Sequence, residues 1–235
     1  MSETGLPLRE RKKLRTRRTL VDEALRLFTS RGFAQTTLDD LVGAVEVSQR
    51  TFFRYFSSKE DVALAPEKEL WSVYTAELAR RTPGPSPLAE FEETMFAALA
   101  AMSEGWEARF LAARELCDRT PGLAAHSLRH CAEVTERLLD LAERPRPHGT
   151  EGAGAPAGEG EGAHPHARLR LRLLIDLTLS AWHWALTRWS ATPERADRET
   201  LAALLREAFD EIPAAAALAL ATPAPPVPPA DRPAD

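Results

Sequence analysis

The fold of this chain is decided by residues 36–56, which read TTLDDLVGAVEVSQRTFFRYF. The first half of this stretch predicts a short helix, because its apolar residues recur at helical spacing and form one stripe. Those residues are Leu38, Leu41, Val42 and Val45. Thr36 or Thr37 can cap the helix, and an aspartate three residues after each of them can complete a capping box. Residues 44–48 then predict a turn.

The second half of the stretch predicts another helix, which carries an uncommon surface. Ser48 can cap it, and it would run from Gln49 to Phe56. Phe52 and Phe56 lie four residues apart, so both can pack inward. The side chains left to point outward are Gln49, Arg50, Thr51, Phe53 and Arg54. Since Arg and Gln read base edges in a major groove and hydroxyls bind phosphates, the stretch predicts a DNA-binding helix-turn-helix.

The wider sequence resembles the DNA-binding region of the tetracycline-repressor (TetR) family over roughly residues 14–64. Three segments match in order: ALRLFTSRGFAQTTLDDL, VSQRTFFRYF and SSKEDV. The resemblance implies an all-α fold, in which an N-terminal three-helix helix-turn-helix domain precedes a helical domain for ligand binding and dimerisation. It also implies a bacterial transcription regulator, in most cases a repressor. Its partners would be a palindromic double-stranded DNA operator, a small-molecule effector and a second copy of the chain.

One position departs from the family pattern. Glu46 lies in the turn where the family most often has glycine. If the turn needs a left-handed backbone there, a residue with a Cβ atom costs about 1–2 kcal/mol. The motif tolerates that cost, and we expect the turn to differ only in detail.

Charge is distributed unevenly along the 235 residues. The net charge of −5 argues by itself against a general nucleic-acid binder. Residues 1–60, however, hold 12 Lys and Arg against 8 Asp and Glu, so they carry +4 and the remaining residues carry −9. Seven basic side chains lie between Arg9 and Arg18. That run predicts either a solvated helix start or an arm that contacts DNA phosphates or a minor groove.

The predicted DNA interface combines the end of the basic run, the two helix caps, the second helix and a lysine that could meet a phosphate. Its residues are Arg17, Arg18, Thr36, Thr37, Ser48, Gln49, Arg50, Thr51, Phe53, Arg54, Tyr55 and Lys59. We expect one helix to run from Lys59 to Arg81 with a bend at Pro66, because proline removes a helical hydrogen bond. This helix would connect the helix-turn-helix domain, called the head below, to the regulatory and dimerisation domain that follows it, called the body.

The body of the chain predicts helices throughout, near residues 87–103, 105–119, 123–143, 168–191 and 198–212. Its large apolar side chains are individually best interpreted as ordinary core. Together with the family resemblance, the Met, Phe and Trp residues indicate a ligand pocket, since such sites are mostly apolar with a few polar groups. The predicted pocket consists of Trp71, Phe91, Met95, Leu99, Met102, Trp106, Phe110, Asp176 and His183.

The segment from Leu169 to Trp189 is the most apolar helix of the sequence. A polar stripe runs along it, formed by Asp176, Ser180, His183 and Thr187. Periodicity places these residues on one face but leaves open whether that face meets solvent, a cavity or a partner subunit. With the final helix, this segment would form the four-helix dimer interface that the resemblance implies. The predicted interface residues are Leu174, Trp182, Trp189, Leu201, Leu205 and Phe209.

The chain divides by composition into four parts. Residues 1–10 predict a disordered N-terminus, 11–58 the helix-turn-helix domain, 59–221 the regulatory and dimerisation domain, and 222–235 a Pro-rich disordered tail. Within the regulatory domain, residues 144–167 hold six Gly and four Pro, with few large apolar side chains. Such a segment cannot bury enough surface to offset its ordering entropy, so it predicts a flexible linker.

Several classes of site are not supported by the sequence. Cys117 and Cys131 have neither metal-ligand nor disulfide-framework spacing, which favours a reducing cytoplasm. His126 and His130 lie beside Cys131, but without further ligands we interpret them as surface residues and predict no metal and no cofactor. No signal peptide, membrane span or catalytic motif is recognisable. Two alternatives stay open beside the regulator: a helical module that binds another protein, and a small helical enzyme or ligand carrier.

Overall fold

Ten helices and no strand form the part of the chain that the computed structural model describes, which is residues 7–144, 163–192, 194 and 196–218. In chain order they are α1 (Leu8–Arg31), α2 (Leu38–Ala44), α3 (Gln49–Phe53), α4 (Lys59–Ala63), α5 (Ala65–Arg80), α6 (Pro87–Ala100), α7 (Trp106–Arg119), α8 (Pro121–Ala142), α9 (Ala163–Ser190) and α10 (Arg198–Leu218). The predicted all-α fold is confirmed. None of the described helices is long and apolar enough to cross a membrane.

The four N-terminal helices pack around a common apolar core. The buried stripe of α1 comprises Leu20, Val21, Ala24, Leu25, Leu27 and Phe28. Phe52 of α3 and Val62 of α4 are fully buried against this stripe. The same core also takes in Ala113 and Leu116 from α7 and Leu123 from α8. The head therefore shares its core with the body through α7 and α8.

The predicted continuous helix from Lys59 to Arg81 is wrong. α4 ends at Ala63, Leu64 has φ −89° and ψ 5°, and α5 starts at Ala65. Pro66 lies in the first turn of α5, where its missing N–H costs no hydrogen bond and its restricted φ suits a helix start. Proline thus begins a helix here instead of bending one. The head joins the body through a buried residue, Leu64, that lies between two helices.

The body is organised around a cluster of aromatic rings contributed by α5, α7 and α9. Phe110 lies at its centre, with ring centroids 4.8 Å from Trp106 and 6.0 Å from Trp182. Trp71 extends the cluster, 5.7 Å from Trp182. The indole N–H of the fully buried Trp106 donates to the Pro66 carbonyl oxygen at 2.9 Å. That bond satisfies a buried donor and links α7 to the first turn of α5.

Three predicted boundaries change in the structure. α1 begins at Leu8, so the last residues of the predicted disordered N-terminus are helical. α9 begins at Ala163, inside the predicted linker, and α10 continues past residue 212 to Leu218 with Pro213 within it. Most of the predicted linker, the Pro-rich tail and the first residues of the chain lie outside the described residues.

Arg144 falls at the start of the linker that composition predicts, but it is anchored to the body. Its guanidinium donates to the carbonyl oxygens of Leu78 at 2.6 Å and Ala79 at 2.8 Å. These carbonyls lie in the last turn of α5, where the helix itself supplies no donors. Arg144 therefore caps α5 from the end of α8.

Candidate nucleic-acid interface

The first helix of the motif, α2, begins with a complete capping box. The Thr37 hydroxyl accepts from the Asp40 amide at 3.1 Å, and the Asp40 carboxylate accepts from the Thr37 amide at 2.8 Å. The Thr37 hydroxyl also donates to the Asp40 carboxylate at 2.6 Å, and this bond, followed by the one from the Thr37 amide, holds the pKa of Asp40 below its usual value. Thr36 is buried instead and donates to the Gly32 carbonyl oxygen at 2.9 Å. Its predicted place on the DNA-facing surface is wrong, because its side chain stabilises the turn after α1.

The turn between α2 and α3 uses a left-handed backbone at the anticipated position. Glu46 has φ 54°, the only positive φ outside glycine among the described residues. The Val47 amide closes the turn by donating to the Val42 carbonyl oxygen at 3.0 Å. A glutamate therefore occupies a conformation in which the Cβ atom of an L-residue is strained.

The second helix of the motif, α3, is held at its start and by its inner face. The Ser48 hydroxyl accepts from the Thr51 amide at 3.1 Å and lies 3.0 Å from the Thr51 hydroxyl. Phe52 and Phe56 are buried with ring centroids 5.7 Å apart, as their spacing predicts. α3 is shorter than expected, because it ends at Phe53 and the next two residues form a turn.

The outward face of α3 is as predicted in composition. Gln49, Arg50 and Arg54 are exposed, and Phe53 leaves 54% of its surface accessible. Thr51 and Tyr55 are half-buried. The guanidinium of Arg54 lies over the Tyr55 ring, 5.0 Å from its centroid, and donates to the Tyr55 hydroxyl at 3.3 Å. The face thus combines hydrogen-bond donors with a large exposed aromatic ring.

A contact that sequence spacing does not reveal joins the two helices of the motif. The Gln49 amide nitrogen donates to the Asp39 carboxylate at 2.6 Å. The two residues are ten positions apart, so no local periodicity pairs them. An aspartate in the first turn of α2 and a glutamine at the start of α3 are both visible in the sequence, but only the crossing of the two helices brings them together.

The basic run of α1 lies beside the end of α3. Together they form a groove of about 770 Å³. It is lined by Leu8, Arg9, Glu10, Lys12, Lys13, Thr16, Arg54 and Tyr55. Arg17 lies over the Phe56 ring, 5.2 Å from its centroid, and Arg18 is half-buried. The groove is thus rich in cations and continuous with the exposed face of α3.

Lys59 has a structural role that the sequence does not indicate. Its ammonium donates to the carbonyl oxygens of Phe33 at 3.0 Å and Thr36 at 2.6 Å, and it lies 4.8 Å from the Phe33 ring centroid. Two of its three N–H groups are therefore used to hold the turn between α1 and α2. One N–H remains for an external acceptor.

The predicted pocket residues separate into two groups. Seven of them are buried in one core cluster: Trp71, Phe91, Met95, Leu99, Met102, Trp106 and Phe110. Asp176 and His183 are not among them. Asp176 is half-buried and accepts from the Arg172 guanidinium at 3.2 Å, and His183 is exposed. Their assignment to the pocket is wrong, because the polar stripe of α9 faces away from the core.

The predicted dimer interface is also corrected. Trp182, Trp189, Leu201, Leu205 and Phe209 are each at most 2% exposed and pack in the core of the subunit itself, against which Leu174 is half-buried. These side chains cannot also meet a partner, because they are already covered within one chain. α9 is apolar on a second side, where Leu173 is 54%, Leu177 37% and Trp184 40% exposed.

A partly buried carboxylate, that of Glu67, links the start of α5 to α8. The Ser127 hydroxyl donates to the Glu67 carboxylate, with its oxygen 3.0 and 2.9 Å from the two carboxylate oxygens, and the carboxylate lies 3.7 Å from the Cys131 sulfur. Burial raises the pKa of Glu67. Burial, followed by the nearby Glu67, also raises the pKa of the Cys131 thiol to about 11. Within the described ranges, no group of three or more His, Cys, Asp or Glu side chains is placed to hold a metal ion.

Known proteins match this chain most clearly over the motif. The family model of bacterial regulatory proteins, tetR family, matches residues 20–65. The chain is 41% identical over 139 residues to the HTH-type transcriptional regulator TcmR of Streptomyces glaucescens, which is 57% of this chain and 62% of that protein. The chain therefore spans less than two thirds of the length of this relative.

Two crystal structures are similar at lower identity. NalD, the secondary repressor of the MexAB-OprM multidrug efflux pump in Pseudomonas aeruginosa, is 20% identical with a TM-score of 0.47, over 85% of this chain and 96% of that one. The TetR family transcriptional regulator PfmR from Thermus thermophilus is 19% identical with a TM-score of 0.41, over 81% and 97%. Over its helix-turn-helix, residues 20–65, this chain is similar to bacterial regulatory proteins of the tetR family.

Proposed function

We propose that this chain is a tetR-family repressor that binds a palindromic DNA operator as a homodimer and is released by a small, largely apolar ligand. The observation that carries the DNA part is the exposed face of α3. Gln49 and Arg50 project from α3 and Arg54 from the turn that follows it, and the other side of this segment is held by the buried Phe52 and Phe56. A short helix supported in this way can enter a major groove without losing its orientation.

The basic groove beside α3 supports the same proposal. Arg9, Lys12 and Lys13 line it together with Arg54. Cations placed next to a base-reading helix contact phosphates and fix the register of the protein on the duplex. Of the two interpretations of the basic run, the arm that contacts DNA is therefore the one we propose.

The proposed dimer uses the second apolar side of α9. Leu177 and Trp184 line a groove of about 410 Å³ with Ala208, Ile212 and Ala215 of α10. A contiguous apolar groove on an isolated subunit is typical of a surface that a partner covers. A two-fold axis through this surface would pair α9 and α10 of each subunit and present two copies of α3 to a palindromic site, about one helical turn apart.

The proposed ligand would enter the aromatic and Met cluster of the body. Trp71 of α5 lies in this cluster, and α5 joins the head through Leu64. Since Trp71, Met95 and Trp106 are closely packed and buried, a ligand must displace side chains and so shift the helices that carry them. To change the protein from mostly bound to mostly free, its affinity for the two arrangements must differ by about 5 kcal/mol.

The test is selection of duplexes from a randomised pool by the full-length protein, followed by a salt titration. We expect a near-palindromic consensus, and the logarithm of the affinity should fall steeply and linearly with the logarithm of the salt concentration. Equal affinity for selected and random duplexes at every salt concentration would contradict operator binding. Ligand release is tested on the selected duplex with a small-molecule screen, in which Trp106→Ala should weaken the response to any effector found.

A further inference from the structure

We propose that Asp39 is a positioning residue that determines which bases Gln49 accepts in the operator. This inference rests on the operator binding proposed above. The Gln49 amide nitrogen donates to the Asp39 carboxylate at 2.6 Å, across the crossing of α2 and α3. A short hydrogen bond to a charged acceptor is among the stronger side-chain contacts in proteins.

The chemistry of the two groups determines the orientation of the amide. An ionised carboxylate can only accept hydrogen bonds, whereas an amide has a donor end and an acceptor end. The NH₂ end of Gln49 must therefore face Asp39. Rotating the amide by 180° would place its oxygen against the carboxylate, where two acceptors repel each other.

Both partners are held by their own helices. Asp39 is exposed in the first turn of α2, and its neighbour Asp40 is already engaged by Thr37 in the capping box. Gln49 is the first residue of α3, directly after the Ser48 cap. Both helix starts are capped, so the backbone at Asp39 and the backbone at Gln49 are each held in place. The two side chains therefore start from fixed positions.

The consequence concerns the group that Gln49 presents to DNA. With the NH₂ end turned toward Asp39, the amide oxygen lies on the opposite side of the group as an acceptor. Adenine and cytosine offer an exocyclic amino donor in the major groove, whereas guanine and thymine offer a carbonyl acceptor. A glutamine free to rotate can serve either kind of base. Because Asp39 takes one N–H of the Gln49 amide and leaves only the second free, we expect Asp39 to bias Gln49 toward amino bases at one position of each half-site.

The experiment is a double-mutant comparison of base preference with the full-length protein. Wild type, Asp39→Ala, Gln49→Ala and the double variant are each titrated against the selected operator and its single-base variants. We expect the wild type to prefer an amino base about tenfold at one position, in the range of single base contacts, and Asp39→Ala to reduce this preference to about twofold. In the Gln49→Ala background, Asp39→Ala should leave the preference unchanged.

Two other effects of the substitution are separated by this design. Removing the negative charge of Asp39 raises the affinity for every duplex, with Gln49 present or replaced by alanine. This general increase therefore cancels when the preference between bases is compared. Asp40→Ala removes the neighbouring carboxylate and one half of the α2 capping box without touching Gln49, and it should lower the melting temperature while leaving base preference intact.

Two results would overturn the inference. One is a base preference in Asp39→Ala that equals the wild type. The other is a change of preference that is equally large with and without Gln49. A wild-type protein that enriches no sequence at all would instead overturn operator binding itself, and this inference with it.

Discussion

The left-handed residue in the turn of the motif is a source of instability that one substitution can remove. Glu46 adopts φ 54°, which costs an L-residue with a Cβ atom about 1–2 kcal/mol. Glycine removes that strain but loses about 0.5–1 kcal/mol more conformational entropy on folding. We therefore expect Glu46→Gly to raise the free energy of unfolding by about 0.5–1 kcal/mol in urea denaturation, the difference between those two terms.

The matched control for this substitution is Glu46→Ala. Alanine removes the same carboxylate but keeps the Cβ atom, so it should keep the strain and leave stability close to that of the wild type. A stabilisation by alanine as large as that by glycine would show that the charge, and not the backbone conformation, is the cause.

Substitutions of two cationic residues near the proposed DNA interface should affect different properties, one the stability of the protein and the other its affinity for DNA. Lys59→Ala leaves the carbonyl oxygens of Phe33 and Thr36 without their donor. We expect the free energy of unfolding to fall by about 1.5–3 kcal/mol, the range for a hydrogen bond to a charged group. Arg54→Ala should leave stability unchanged and lower the salt dependence of operator binding by about one phosphate contact. Equal unfolding curves for both variants would contradict the structural role of Lys59.

At the scale of elements, the contact between α5 and α8 depends on pH through Glu67. Because burial raises its pKa above 4.5, the folded protein holds a proton that the unfolded chain has released over the range from 4.5 up to the raised pKa. Stability at this site therefore falls as pH rises through that range. Glu67→Gln mimics the protonated form of the side chain. The free energy of unfolding of this variant, relative to that of the wild type, should therefore increase with pH and then level off. Urea titrations at several pH values measure this difference.

The control for this pH effect lies on the same helix pair. Glu133→Gln changes a carboxylate on the exposed side of α8. The pH dependence of Glu67→Gln is compared with that of this variant, so that the effect of removing a carboxylate from the surface of α8 is accounted for. If the free energy of unfolding of Glu67→Gln changed with pH in parallel with that of the wild type, Glu67 would not contribute to the pH dependence of stability.

At the scale of the whole molecule, we expect the proposed dimer to depend on the exposed side of α9. Trp184→Glu would place an unpaired carboxylate in the proposed interface, which costs about 3–5 kcal/mol when it is buried there. We expect this variant to be monomeric by light scattering at micromolar concentration and to bind the operator much more weakly. Leu128→Glu is the matched control, because Leu128 is an exposed apolar side chain on a different helix, α8, and it should leave the dimer intact.

The sequence by itself determined the local parts of the interface. The Ser48 cap, the capping box of α2 and the burial of Phe52 and Phe56 all follow from residues within four or five positions of each other, whereas the family resemblance is what pointed to a left-handed turn at Glu46. Helix geometry brings such neighbours together whatever the rest of the chain does. For this reason the outward face of α3 could be predicted residue by residue.

Only the tertiary structure decided what each helix face meets. Periodicity places Trp182 and Trp189 on one side of α9, but the packing of α5, α7 and α10 is what puts that side in the core of the subunit and leaves Leu177 and Trp184 outside. The roles of Lys59 and Asp39 likewise depend on residues 23 and 10 positions away. A side chain's direction is set by its own helix, whereas its partner is set by long-range packing, and spacing along the chain carries no information about that partner.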